Sequence, residues 1–211
     1  MKGGAAMYRG ERINSISHLV GASLALVGLV LLAVFSAVSQ DAWKLTSALV
    51  YGLTLFLMFL FSTLFHSLRG TPKVVFQRLD HVAIYWLIAG TYTPYCLVTL
   101  REERGWLLFG IVWGIAVLGT LFKSVFGPRY SHASTLLYLA AGWTILLDIS
   151  ALYQRMDPAG FAWLLVGGVL YTIGAVFYVS DKIPRNHEVW HFFVLAAAVC
   201  HCVSILVYVV S

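Results

Sequence analysis

The chain has 211 residues, 60% of them hydrophobic and only 11% charged, where a soluble domain carries about 25% charge. With a mean hydropathy of +0.84 this excludes a soluble protein and indicates an integral membrane protein. The formal charge of +5 is not arranged as a basic–aromatic stripe, so the composition points to no nucleic-acid partner.

Apolar runs long enough to cross a bilayer predict seven helices, at about 17–38, 45–67, 80–100, 105–125, 133–153, 160–180 and 188–210. Connections are short, so 1–211 reads as a single all-α transmembrane domain. The first 16 residues are polar and basic, and the run after them is too long for a signal h-region of about 7–15 residues. An uncleaved first helix is expected, capped by Asn14 or Ser15. The second helix ends in Phe61-Ser62-Thr63-Leu64-Phe65-His66-Ser67 and breaks at Gly70 and Pro72. The third starts after Arg78-Leu79-Asp80-His81, and Pro94 kinks it by removing a backbone donor. Gly127-Pro128 divides helices four and five, and Asp157-Pro158 divides five and six. Gly167-Gly168 should let the sixth helix approach a neighbour closely. Cys96, Cys200 and Cys202 are an odd, apolar set, which argues against a disulfide framework.

Basic residues give an orientation. With the N-terminus cytoplasmic, Lys2, Arg9, Arg12, Arg69, Lys73, Arg78, Lys123, Arg129, Lys182 and Arg185 lie inside. Lys44, Arg101, Arg104 and Arg155 lie outside, so 10 of the 14 are inside. In this frame the C-terminus is external, and the charge anchors the chain beside anionic lipid headgroups.

The seventh helix opens with His187-Glu188-Val189-Trp190-His191. Two imidazoles four residues apart stack on one helical face, a two-point grip on a transition metal such as Zn2+. In the frame above, His66 closes the second helix and Asp80 opens the third at the same membrane depth. His66, His187 and His191 with an open position would make a catalytic type of zinc site, at which water is acidified to a pKa of about 7. Asp80 would take the proton of that water, and Ser62, one turn deeper than His66, would orient Asp80 or donate to a developing oxyanion. Taken singly, Asp80 reads equally well as a helix cap. His18, His81, His132 and His201 read as interfacial residues with satisfied hydrogen bonds. Cys200-His201-Cys202 reads as packing, because adjacent helical residues diverge by about 100°. Asp148 should bond a neighbouring helix or meet interfacial water. His187-Glu188-x-x-His191 also matches the H-E-x-x-H protease signature, in which Glu188 would be the general base.

The segments E-x-x-N-x-x-S-H (Glu11, Asn14, Ser17, His18), S-x-x-x-H (Ser62, His66), Leu79 to Pro94, and NH-x-x-W-H (Asn186 to His191) resemble the bacterial hemolysin III proteins. These belong with the progestin and adipoQ receptors and, more distantly, the alkaline ceramidases. The resemblance spans nearly the whole chain. It implies a seven-helix bundle with a cytoplasmic N-terminus in the bacterial inner membrane. It also implies a zinc ion on His66, His187 and His191, Asp80 next to the zinc water, and Ser62 beside it. The position of Glu188 need not be Glu in that family, which weakens the protease reading. Glu11 and Asn14 match its N-terminal motif without an evident role, and His81 and His201 sit in similar contexts. The expected function is a zinc-dependent hydrolase of a lipid-like amide or ester, within membrane lipid homeostasis. A receptor or regulator with structural zinc and a cytolysin are the other readings. Membrane lipids are the expected partners; no oligomeric state is implied.

Overall fold

The computed structural model describes residues 9–180 and 182–211. Its described residues form helices and no strand, and seven helices are long and apolar enough to cross a membrane. A 3-10 turn at Arg9–Glu11 leads into α1 (Arg12–Val38). Glu11 occupies the N-cap position without a side-chain cap bond. The expected caps, Asn14 and Ser15, lie instead inside the helix and are buried. The polar face of these first turns is turned into the protein, where its groups serve neighbouring helices.

Asp41 caps α2 (Ala42–Ser67) by accepting from the amides of Trp43 at 2.7 Å and Lys44 at 3.3 Å. After two residues of extended chain, Gly70 starts α3 (Gly70–Pro94) with a φ of +64°, a conformation glycine adopts without a Cβ penalty. Helix three therefore begins ten residues before the hydropathy pattern suggested. Pro72 does not break the chain, because it sits in a first turn whose amides need no intrahelical acceptor. Asp80 is consequently an interior residue of α3 and caps nothing. Beyond Pro94 the chain continues as a π turn over Tyr95–Thr99, closed by Leu100 N donating to Tyr95 O at 2.8 Å.

α4 (Gly105–Phe126) ends at Gly127, which has a φ of +58°. The fifth span is broken. It comprises α5 (Ser131–Gly142), a 3-10 segment (Thr144–Asp148) and α6 (Ile149–Arg155). At the break the Tyr92 hydroxyl donates to Gly142 O and accepts from Ile145 N, both at 2.7 Å. α7 (Pro158–Val179) starts with Asp157 accepting from Ala159 N and with Pro158 in its first turn. α8 (Asn186–Ile205) ends in a π turn over Leu206–Val210.

α1, α2, α3 and α4 pack in sequence, α7 packs on α8, and α8 returns to α1, closing the ring. α3 is the most enclosed span; the outer faces of α1 and α4 expose Val27, Val38, Leu118 and Val125, as lipid-facing surfaces do. Small residues set the close approaches. A Cβ on Gly21 would lie 2.5 Å from the Phe59 ring, and one on Gly167 would lie 2.2 Å from His201. The second contact is the close approach expected of Gly167-Gly168.

Candidate metal centre

α2 and α8 meet at the end of the bundle where α2 finishes and α8 begins. His66 sits in the last turn of α2, and His187 and His191 occupy the first two turns of α8. The three ring nitrogens that face one another lie within 4.8 Å. His187 Nε2 is 3.4 Å from His66 Nε2 and 3.2 Å from His191 Nε2. His66 and His191 are buried.

The two separations from His187 match a tetrahedral ligand set, within a cluster that spans up to 4.8 Å. Three nitrogens held tetrahedrally at 2.0–2.1 Å from one ion are about 3.3 Å apart. A neutral imidazole presents one N–H and one lone pair, and the outward nitrogens of two of these rings already face acceptors. His66 Nδ1 bonds the Glu11 carboxylate, and His191 Nδ1 lies 3.4 Å from Ser17 Oγ with the Asn14 carbonyl as a further acceptor. Their inner nitrogens therefore carry lone pairs that face the His187 ring and are available to ligate a cation. The cluster can hold a metal ion.

Glu11 is itself held by Lys73, whose Nζ lies 3.2 Å from Glu11 Oε1 and donates to Phe65 O at 3.1 Å. Burial alone would push the Glu11 carboxyl up; the hydrogen bonds and charges of His66 and Lys73 outweigh that and hold it below the ordinary value.

A cavity of about 140 Å³ runs from His187 and His191 into the bundle. Ser62 and Asp80 line its metal end, and the Ser62 hydroxyl is the hydrogen-bonding neighbour of the Asp80 carboxylate. Further in, the walls are mostly apolar, including Leu87, Ile88, Leu164 and Val194, and the far end reaches Tyr95 and His201. His66, His187 and His191 thus form the nitrogen cluster, and Ser62 and Asp80 line the same cavity as His187 and His191.

Other expectations need correction. Glu188 accepts from Arg185 Nε at 2.6 Å and pairs with Arg185 Nη2 at 2.5 Å, so its carboxylate is committed to Arg185. His18 is not interfacial. It is buried, lines the cavity and stacks on His191 with centroids 3.7 Å apart and planes 23° apart. His81 also lines the cavity, its Nδ1 buried without a hydrogen-bond partner. His201 does have a partner, Leu164 O at 3.1 Å, but deep inside the bundle. His132 is exposed. One carboxylate oxygen of Asp148 is buried without a hydrogen-bond partner. Cys96, Cys200 and Cys202 are free thiols, in keeping with the reading against a disulfide framework. Glu11, Ser17 and His18 were missed as neighbours of the cluster. The one sequence signal was the spacing of seven between Glu11 and His18, which puts them on one helical face.

The fold and this cluster define a class: a heptahelical membrane protein with a histidine cluster at one end of its bundle. Residues 7–202 match the family model described as "Haemolysin-III related", and the chain belongs to that family. It is 44% identical over 201 residues to "Hemolysin-3" of Bacillus cereus, covering 94% of this chain and 91% of that one. It is 40% identical to the "Hemolysin-3 homolog" of Bacillus subtilis, covering 95% of each. Human "Monocyte to macrophage differentiation factor" is 31% identical over 206 residues, covering 92% of this chain and 82% of its own length.

Proposed function

We propose that the protein is a zinc-dependent hydrolase of a lipid-like amide or ester. It would act as one seven-helix domain in the bacterial inner membrane, with the N-terminus and the metal end cytoplasmic. One observation carries the reading: three imidazole nitrogens cluster together, and two of these histidines line a mostly apolar cavity whose wall also bears the Asp80 carboxylate and the Ser62 hydroxyl. A donor set of three imidazoles suits zinc and leaves a fourth position open.

Zinc held by His66, His187 and His191 would supply Lewis acidity and a water acidified to near neutral pKa. The chain's own residues do the rest. The apolar cavity takes the aliphatic part of the substrate and keeps bulk water from the scissile carbonyl. Asp80 accepts a proton as the water oxygen bonds to the carbonyl carbon. Ser62 donates to the oxygen that gains negative charge. Asp80 then returns the proton to the amine or alcohol as the carbon–nitrogen or carbon–oxygen bond breaks.

The test is elemental analysis of detergent-purified protein, wild type beside His66→Ala. About one zinc per chain, sharply reduced in the variant, is the expected result. Full zinc content without His66 would remove this ligand set, and no zinc in wild type after metal-replete growth would remove the reading.

A receptor or regulator with structural zinc is the second reading, favoured by relatives named as receptors, such as the yeast "ADIPOR-like receptor IZH2" at 27% identity over 183 residues. A zinc without an exchangeable water, together with no lipid amide or ester hydrolysed, would support it over the first. Cytolysis rests on the hemolysin name of the Bacillus relatives, and its minimum requirement is red-cell lysis by purified protein.

A further inference from the structure

The motif Glu11-x-x-Asn14-x-x-Ser17-His18 plays no part in the proposed hydrolysis, yet its groups converge on the metal cluster from behind. Glu11 Oε2 bonds His66 Nδ1, and Ser17 Oγ lies 3.4 Å from His191 Nδ1 while donating to Asn14 O at 3.0 Å. Ser15 Oγ is 2.6 Å from Ser67 Oγ, which ties α1 to the residue after His66. His18 stacks on the His191 ring and meets Phe59 edge-on, with centroids 5.0 Å apart.

We infer that the first turns of α1 form an outer shell that fixes the tautomer and aim of His66 and His191, with Glu11 as the principal positioning residue. The inference rests on the metal reading above. An ionised carboxylate can only accept, so the proton of His66 stands on Nδ1 and its lone pair on Nε2, toward the metal position. A carboxylate behind an imidazole also makes that ring a stronger donor. Lys73 takes Oε1 of the carboxylate and leaves Oε2 to the imidazole, so the acid cannot swing away. On α8 the same task falls to the Ser17 hydroxyl: its proton goes to Asn14 O, and its lone pair faces His191 Nδ1–H. His18 restrains rotation of the His191 ring by lying flat on it.

A capping duty for Glu11 is the bland alternative, and its carboxylate makes no cap bond. A surface charge satisfied by Lys73 alone is the other, and it leaves the bond to the buried His66 unexplained.

The experiment uses purified full-length protein: zinc affinity by competition with a chromophoric chelator, and visible spectra after Co(II) replacement. Wild type, Glu11→Gln and Glu11→Ala are compared, with thermal unfolding of each metal-free protein alongside. Glu11→Ala should bind zinc about 10–100-fold more weakly. Glu11→Gln, whose amide oxygen still accepts, should fall between, with its Co(II) bands displaced and its metal-free unfolding temperature unchanged. Wild-type affinity and spectra in both variants would overturn the inference while leaving the metal site standing. Affinity lost only in step with metal-free stability would also overturn it, since that marks a structural role. No zinc in wild type would remove the metal reading and this inference with it.

Discussion

Asp80 and Glu188 are both acids near the same three histidines, and they differ in what their carboxylates touch. Asp80 faces the Ser62 hydroxyl on the cavity wall, whereas Glu188 is occupied by Arg185. Asp80→Asn should therefore lower hydrolysis by about 10²–10⁴-fold, the usual worth of a general acid–base, with zinc retained. Glu188→Gln should leave both rate and zinc content near wild type. Full activity in the first variant, or a collapse of rate in the second, would reassign the base. Much of the histidine cluster is legible in the sequence: His187 and His191 through their spacing of four, His66 through the membrane depth assigned by counting charges. Glu11 and His18 were not, because their meaning lies in contacts with α2 and α8. Glu11 meets a residue 55 positions away and His18 one 173 away, and no local pattern encodes either pairing.

Among the elements, the spans were legible and their irregularities were not. Hydropathy measures how apolar a segment is and does not separate an α-helix from one interrupted by a 3-10 turn. The fifth span reads as one run, yet it breaks after Gly142 because Tyr92 of α3 serves both freed backbone groups. That hydroxyl is what makes the break tolerable inside a bilayer, where unmet amides and carbonyls cannot turn to water. Tyr92→Phe should lower stability by about 1–3 kcal/mol through the two orphaned groups. Thermal unfolding in detergent measures it, and an unchanged midpoint would mean that the break holds by packing alone. The early start of α3 was missed for the opposite reason. In its first turns, from Gly70 to Arg78, the apolar stretch Val74-Val75-Phe76 is flanked by Lys73, Gln77 and Arg78 and is too short to register as part of a span.

For the whole molecule, the proposed orientation follows from 10 basic residues on one side and 4 on the other. Reporter fusions after Gln40 and after Tyr130 should place the first outside and the second inside, with an alkaline phosphatase active only at Gln40. The reverse pattern would invert the bundle and put the histidine cluster on the outer face.

The ring closes through α8 returning to α1, and the cluster draws on both ends of the chain. That has a consequence for biosynthesis. Glu11 leaves the ribosome 180 positions before His191, which at 5–20 residues per second is about 10–40 seconds. From its own emergence, 55 positions after Glu11, His66 stands at the edge of an unfinished bundle without His187 or His191 to join it. An ion can be gripped only after the last span has entered the bilayer and slid in between α1 and α7. Under the proposed metal site, capture is thus coupled to the end of insertion, and a nascent chain stalled before its seventh span lacks the complete histidine cluster.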